Sequence, residues 1–257
     1  VAVLDTGVDA SHPDLQGQLL LPGWNANNLN EDTADVHGHG TMVTGVVAAL
    51  SNNNTGVTSI AWNARILPVR VSLQSGSAYA SRIARGLNWA ADNGADVANI
   101  SYAVTSSSTV QNAANNMRSK GGIVCISAGN DGDELSMSPH PAIITVSATN
   151  SNDALVGWSN YGPVIDLAAP GTGIYTTTRG GGYTSVSGTS FSSPVTAATA
   201  ALIMAADPTL SPAEVETILM ENSADLGSPG QDIYFGHGRV DAAAAVAAAL
   251  GVPGEDP

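Results

Sequence analysis

The run Ser185-Val-Ser-Gly-Thr-Ser-Phe-Ser-Ser-Pro194, continued by Val195-Thr-Ala-Ala-Thr-Ala-Ala-Leu-Ile-Met-Ala-Ala206, decides how the rest of this chain is read. Residues 195–206 carry no charge and no proline, and they are apolar on nearly every helical face. A helix of that kind belongs inside a protein rather than on its surface. Pro194 is tolerated in a first helical turn, and the serines ahead of it are good N-cap residues. The pattern predicts a buried central helix with a small polar turn at its N-terminus and Ser190 at that end. Free N–H groups there stabilise developing negative charge. Taken alone, the segment reads first as a serine-rich cap.

Upstream, residues 1–4 (Val-Ala-Val-Leu) form a short apolar strand that runs into the turn Asp5-Thr-Gly-Val-Asp9. A chain that starts in the first residue of a buried strand is unusual, because termini lie at the surface. The expectation is that a segment upstream of this strand is missing from the sequence. Further strands are predicted at 66–71, 95–101, 123–128, 143–148 and 164–168. Helices are predicted in the second part of 37–50, at 78–93, 107–120 and 211–222, and at 240–250. Gly40 and Gly45 should each cost the first helix about 1 kcal/mol relative to alanine, which implies a close backbone or substrate approach. Strands alternating with helices predict an α/β fold, one domain over residues 1–257, with a mostly parallel sheet covered on both faces. Sites in such sheets gather outside the carboxyl ends of the strands.

Composition narrows the function. The 257 residues include 22 acidic and eight basic side chains, a net charge of −14, so no basic patch is present to hold nucleic acid or an anionic membrane. An acidic surface also favours solubility. The single cysteine, Cys125, sits in an apolar strand-like run and has no internal disulfide partner; buried free thiols are usually inert. No apolar stretch reaches the ~18 residues of a membrane span; residues at the start carry no basic n-region and no cleavage site, so a signal peptide is not expected within this sequence.

Serine acyl transfer needs a nucleophile, an imidazole base, a carboxylate to orient it and donors for the oxyanion. The chain offers Ser190 at a helix N-terminus, His39 at a helix start, Asp5 at a strand end and Asn130 at another strand end, in the order Asp, His, Ser known from one convergent triad. The motifs Val3-Leu-Asp-Thr-Gly7, His39-Gly-Thr41 and Gly188-Thr-Ser-Phe-Ser-Ser-Pro194 resemble the three signatures of the subtilisin-like serine proteases, the subtilases. Ser127-Ala-Gly-Asn130 resembles that family's oxyanion segment, and the resemblance runs from Val1 to about Ala248. His39-Gly-Thr41 argues against the related group in which an acid replaces the histidine. A Gly-x-Ser-x-Gly elbow, which an α/β-hydrolase esterase would need, does not surround Ser190.

The resemblance implies the subtilisin-like three-layer fold and a secreted serine endopeptidase acting on protein or peptide substrates. Ser190 would be the nucleophile, His39 the general base, Asp5 its orienting carboxylate and Asn130 an oxyanion donor. His37 is read as a rim residue and His12 as a structural one. Gly76, Ser77 and Ala78, with Ser101, Tyr102 and Ala103, resemble the two edges that clamp a peptide as an added strand. The primary pocket would lie between Ser101-Tyr102-Ala103 and Ser127-Ala128-Gly129, where no acid stands, so an apolar P1 side chain is expected. Ala78 and Ala103 stand where well-known subtilisins have glycine, and each added methyl narrows the groove. Asp131, Asp133 and Glu134 would favour basic substrates if they faced the pocket, as in the kexin-like branch; a solvent-facing acidic loop is the preferred reading. Asp14 and Asn52, with backbone near 50, 55 and 57, resemble a structural calcium loop of the family, against a metal-free asparagine-rich turn. The family further implies a monomer and an inhibitory pro-region. The rival readings are a processing protease selective for basic sites and a catalytically inactive binding module of the same fold.

Overall fold

Strand β1 (Ala2–Asp5) shows how the layers arise. Side chains alternate across a strand, and here Val1 and Val3 enter one apolar cluster while Ala2 and Leu4 enter another. The computed structural model describes residues 1–252. Its sheet has seven strands in the order β2 (Trp24–Asn25), β3 (Leu67–Arg70), β1, β4 (Val97–Ile100), β5 (Ile123–Ser127), β6 (Ile144–Thr149) and β7 (Leu167–Pro170). Every pair in it is parallel. Helices α2 (Ala80–Asp92) and α3 (Ser108–Ser119) cover one face through Ile83, Leu87, Val110 and Met117. The other face receives α1 (His39–Ala48), α4 (Thr189–Ala206), α5 (Pro212–Glu221) and α6 (Ala242–Ala249). Three layers with a parallel sheet at the centre follow, as the alternation of elements predicts.

Chain order places the functional edge. From β1 the chain crosses to the edge strand β2, steps back to β3 beside β1, then passes β1 to β4 and runs on through β5, β6 and β7. The direction of growth therefore reverses beside β1, and ligand sites of open parallel sheets lie at such a reversal, beyond the carboxyl ends of the strands. Asp5 ends β1, Ser101 follows β4, and Ala128-Gly129-Asn130 follows β5.

Helix α4 begins at Thr189, five residues before Pro194, so Pro194 lies inside the helix rather than at its first turn. The cost of a helical proline is the carbonyl four residues back, which loses its N–H partner. That carbonyl belongs to Ser190, and the Ser101 hydroxyl donates to it at 2.9 Å. With its polar first turn included, α4 has 18 residues, long and apolar enough on average to cross a bilayer, contrary to the sequence expectation. Two thirds of it is buried within the protein, as befits a core helix.

Other elements depart from the sequence reading, among them the short edge strand β2, which was not predicted. Strand β7 starts at Leu167 rather than at 164, because Val164 and Ile165 pack with Ala128 in a separate small cluster. An antiparallel hairpin, β8 (Ile174–Thr178) and β9 (Gly182–Val186), lies outside the main sheet and was not predicted. It explains Gly45: a β-carbon there would stand 2.2 Å from Thr177 Oγ1. Gly40 is explained likewise, since its β-carbon would stand 2.1 Å from the Gly7 carbonyl oxygen.

Candidate active site

The carboxylate of Asp5 is fully buried at the end of β1 and accepts from Thr6 N–H at 2.7 Å. His39 opens α1, and its Nδ1 lies 2.8 Å from Asp5 Oδ1 and 3.0 Å from Oδ2. A proton on Nδ1 is thereby held by the carboxylate, which leaves Nε2 with a free lone pair. Burial favours the neutral imidazole, but the charge and hydrogen bond of Asp5, with the charge of Asp35 behind it, carry the His39 pKa above its ordinary value.

Asp35 is a component that the sequence reading missed. It is buried, and its carboxylate accepts from Thr6 Oγ1 (2.7 Å), His37 N (3.0 Å), Gly38 N (2.7 Å), Thr41 N (2.9 Å) and Thr41 Oγ1 (2.5 Å). Helix α1 has no side-chain cap of its own, because its N-cap is Gly38 at φ +110°. Orphan N–H groups of a helix start need partners. Asp35 supplies one for Thr41 N, and Thr6 Oγ1 supplies one for Gly40 N at 2.8 Å. Thr6 thus joins Asp5's own strand end to the helix that carries His39. The only local signal was an acid four residues ahead of His39 in an Asn- and Asp-rich loop, where it looked like a turn residue.

Ser190 is the second residue of α4 and lies beside Phe191, whose ring centroid is 5.6 Å from that of His39. Its Oγ donates to the Ser101 carbonyl at 3.4 Å, and no hydrogen bond to His39 Nε2 is present among the described residues. Behind it, Ser193 Oγ donates to Asn99 Oδ1 (2.7 Å), and Asn99 Nδ2 donates to Ser101 Oγ (2.9 Å). Ser193 therefore ties α4 to the end of β4.

Asn130 approaches from β5. Its Oδ1 accepts from both Thr189 N (2.9 Å) and Thr189 Oγ1 (3.0 Å), which turns Nδ2 outward. A β-carbon at Gly188 would lie 3.7 Å from Asn130 Nδ2 and 3.7 Å from the Ser190 amide nitrogen. Both nitrogens therefore lie close to Gly188, and neither has a hydrogen-bond partner among the described residues.

The two edge segments also meet here. Residues 72–78 form a tight loop closed by a Ser72–Ala78 bridge and Leu73 N→Ser77 O at 2.8 Å. Tyr102 Oη donates to Gly76 O at 3.0 Å and so joins one edge to the other. His37 is exposed, as expected of a rim residue, and its ring lies against Gly76. Ala103 approaches Gly129 so closely that a β-carbon on Gly129 would stand 3.1 Å from its methyl. The side chains of Asp131, Asp133 and Glu134 are exposed.

Away from this cluster, His12 is buried, with Nε2 2.9 Å from Gly182 O and Nδ1 accepting from Asp14 N. Asp14 is buried as well, and its carboxylate meets Asn53 Nδ2 (2.5 Å), Val57 N (3.0 Å) and Tyr183 Oη (2.9 Å). The structure brings Asn53 to Asp14, not Asn52, which is exposed at φ +60°. Residues 50–58 surround a cavity of about 300 Å³. Burial pushes the Cys125 thiol up, in keeping with an inert core residue.

A model described as the subtilase family matches residues 1–238. The chain is 39% identical to thermitase of Thermoactinomyces vulgaris over 249 residues, 96% of this chain and 88% of that protein. It is equally similar to a thermophilic serine proteinase of Bacillus sp. strain AK1, of whose length it spans 61%. Among solved structures, a protease from Pseudoalteromonas arctica superimposes with a TM-score of 0.84 at 34% identity, covering 96% of this chain and 89% of that one.

Proposed function

Because this chain belongs to the subtilase family, we propose that it is a serine endopeptidase acting through Asp5, His39 and Ser190. The observation that carries the reading is the Asp5–His39 pair set beside a serine at a buried helix N-terminus, with two idle N–H donors close to Gly188. Ser190 Oγ attacks the scissile carbonyl as its proton passes to His39 Nε2. The Asp5 carboxylate stabilises the imidazolium and does not itself take the proton. The oxyanion receives Asn130 Nδ2 and Ser190 N–H. His39 then protonates the leaving amine, and water, deprotonated by the same imidazole, hydrolyses the acyl-enzyme. In the free protein the serine hydroxyl rests on Ser101 O at 3.4 Å, and catalytic hydrogen bonds tighten when substrate binds.

The peptide lies between 76–78 and 101–103 as an added strand, with an apolar P1 side chain between Ala103 and Gly129. Exposed Asp131, Asp133 and Glu134 favour this over a basic-site processing enzyme. The same reading makes the protein an extracellular, monomeric enzyme made with an inhibitory pro-region. A serine-directed sulfonylating reagent should label Ser190 stoichiometrically and abolish cleavage of a mixed peptide library, whose products should show apolar P1 residues. An unlabelled Ser190 in folded protein returns the chain to the inactive binding module, and a dominant P1 arginine returns it to the processing enzyme.

A structural calcium at 50–58 is part of the same proposal and rests on the hard oxygens of this asparagine-rich loop. The Asp14 carboxylate now takes Asn53 Nδ2, Val57 N and Tyr183 Oη, and an ion held by it would have to replace some of these bonds. The ion would stiffen the loop and has no part in the chemistry. A chelator should lower the unfolding midpoint by several degrees, with calcium restoring it; an unchanged midpoint removes the site.

A further inference from the structure

The loop that carries Asn130 has almost no regular structure to hold it. It leaves β5 at Ser127 and turns at Gly129, which has φ +108°. It then passes through three acidic residues whose side chains lie in solvent. Thr189 fixes the Asn130 amide, and its hydroxyl also accepts from Gly129 N at 3.1 Å, which leaves the backbone at 128 and at 131–133 to other partners.

The segment after β6 holds the rest of that backbone: Gly132 N donates to Trp158 O at 2.9 Å and Tyr161 N to Asp133 O at 3.1 Å. Among its described residues only Asn160 adds side-chain bonds to the loop. Asn160 is 3% exposed. Its Nδ2 donates to Ala128 O at 3.1 Å, and its Oδ1 accepts from Asp131 N and from Asp133 N, each at 3.0 Å. Its own N–H donates to Gly129 O at 3.0 Å. The four bonds reach residues 128, 129, 131 and 133, so they bracket Asn130 on both sides. The amide orientation is dictated by these partners, since a flip would set Nδ2 against two N–H donors. A β-carbon at Gly129 would lie 2.4 Å from Asn160 Nδ2, so the loop is glycine at the point where Asn160 passes beneath it.

We propose that Asn160 is a positioning residue for the reaction: it templates the 128–133 loop so that Asn130 Nδ2 meets the oxyanion. This rests on the role proposed above for Asn130. A hub here has to give one hydrogen bond and take two. Aspartate can only take, and serine is too short to span from 128 to 133. The amide is the smallest side chain that does both.

Asn160→Asp tests this with almost no change in shape. The carboxylate keeps the acceptors for 131 and 133 but repels Ala128 O, which displaces the loop beside Asn130. A small displacement of an oxyanion donor weakens the transition state more than substrate binding, so kcat should fall about tenfold to a hundredfold with KM within about twofold. In a double-mutant cycle, Asn160→Asp should cost little further once Asn130 is alanine, because the two act as one unit. Additive losses would mean that Asn160 contributes stability alone, and would overturn the proposal. A second arm needs no turnover. In a Ser190→Ala background, labelled with ¹⁵N, the Asn130 side-chain amide signals are identified by their loss in Asn130→Ala. They should shift on Asn160→Asp while those of Asn53 stay in place. Unmoved Asn130 signals would refute the positioning role whether or not the protein cleaves peptides, so failure of this proposal is separable from failure of the Ser190 reading.

Discussion

Asp35 and Asp166 are both buried aspartates near strand ends, and their surroundings drive them in opposite directions. Burial penalises both as carboxylates. At Asp35 the hydrogen bonds from Thr41, Gly38, His37 and Thr6 outweigh that penalty and hold the carboxyl below the usual range. At Asp166 burial is answered mainly by Thr145 N at 2.8 Å, and the charge of Glu216 adds to the penalty. Its pKa is pushed up to about 7. Depth does not decide whether a buried acid stays charged; the number of donors aimed at it does. The fixed anion lies behind His39, where a constant negative charge supports an imidazolium. The titrating acid lies beside Glu216 in a cavity of about 250 Å³ also lined by His140.

Breaking the charged hub should have the largest effect. Asn in place of Asp35 can still accept on Oδ1, but its NH₂ would face Thr41 N and leave a buried N–H of α1 without a partner. One unsatisfied donor plus weaker bonds to a neutral acceptor should cost roughly 2–4 kcal/mol, a fall in unfolding midpoint of about 5–15 °C. The sign with pH follows from the lowered pKa of Asp35. Its stabilisation is complete above the unfolded carboxyl pKa and is lost as pH falls through the lower folded value. The variant's deficit should therefore shrink at the acid end of a calorimetric series. Activity supplies a second readout. His39 works as a base only when neutral, so kcat/KM rises as pH passes through its raised pKa. Removing Asp35 removes one cause of that rise, so the acid limb should move to lower pH. A limb that stays in place would show that Asp5 alone sets the imidazole.

These hubs also mark where sequence reasoning ran out. Asp5, His39, Ser190 and Asn130 could be singled out because each stands inside a short motif at a strand end or a helix start, and the structure brings Asp5 against His39 and Asn130 against Thr189 beside Ser190. The parallel sheet was legible from apolar runs spaced by helical patterns. Asp35 and Asn160 were not, because their partners are brought to them by folding: Asn160 reaches 128–133 from thirty residues away, and nothing in Trp158-Ser-Asn-Tyr161 signals it. Pro194 misled for the same reason. Its tolerance inside α4 depends on Ser101, 89 residues upstream of Ser190, whose hydroxyl serves the Ser190 carbonyl. The hairpin β8–β9 was an oversight of a different kind, since Tyr175-Thr-Thr-Thr178 followed by Gly180-Gly181 carries the β-branched run and the glycine turn that hairpins use.

The comparison sharpens at Asp166, where the expected effect is smaller and of opposite sign. An acid whose folded pKa lies above its unfolded one binds more protons in the folded state, so it makes stability fall as pH rises from about 4 to about 7. Asn in its place can still accept from Thr145 N and carries no charge to bury. Asp166→Asn should therefore match the parent near pH 4, gain on it steadily through the interval, and exceed it by on the order of 1–3 kcal/mol above pH 7, or roughly 2–10 °C in midpoint. Peptidase activity should not change, because Asp166 belongs to the edge of β7 and not to the cluster around Ser190. Unfolding followed by calorimetry at pH 4, 6 and 8 separates the two aspartates. If both asparagine variants lose stability at pH 8, the donor count does not govern the charge state, and Asp166 must be held by an interaction equivalent to those that Asp35 receives.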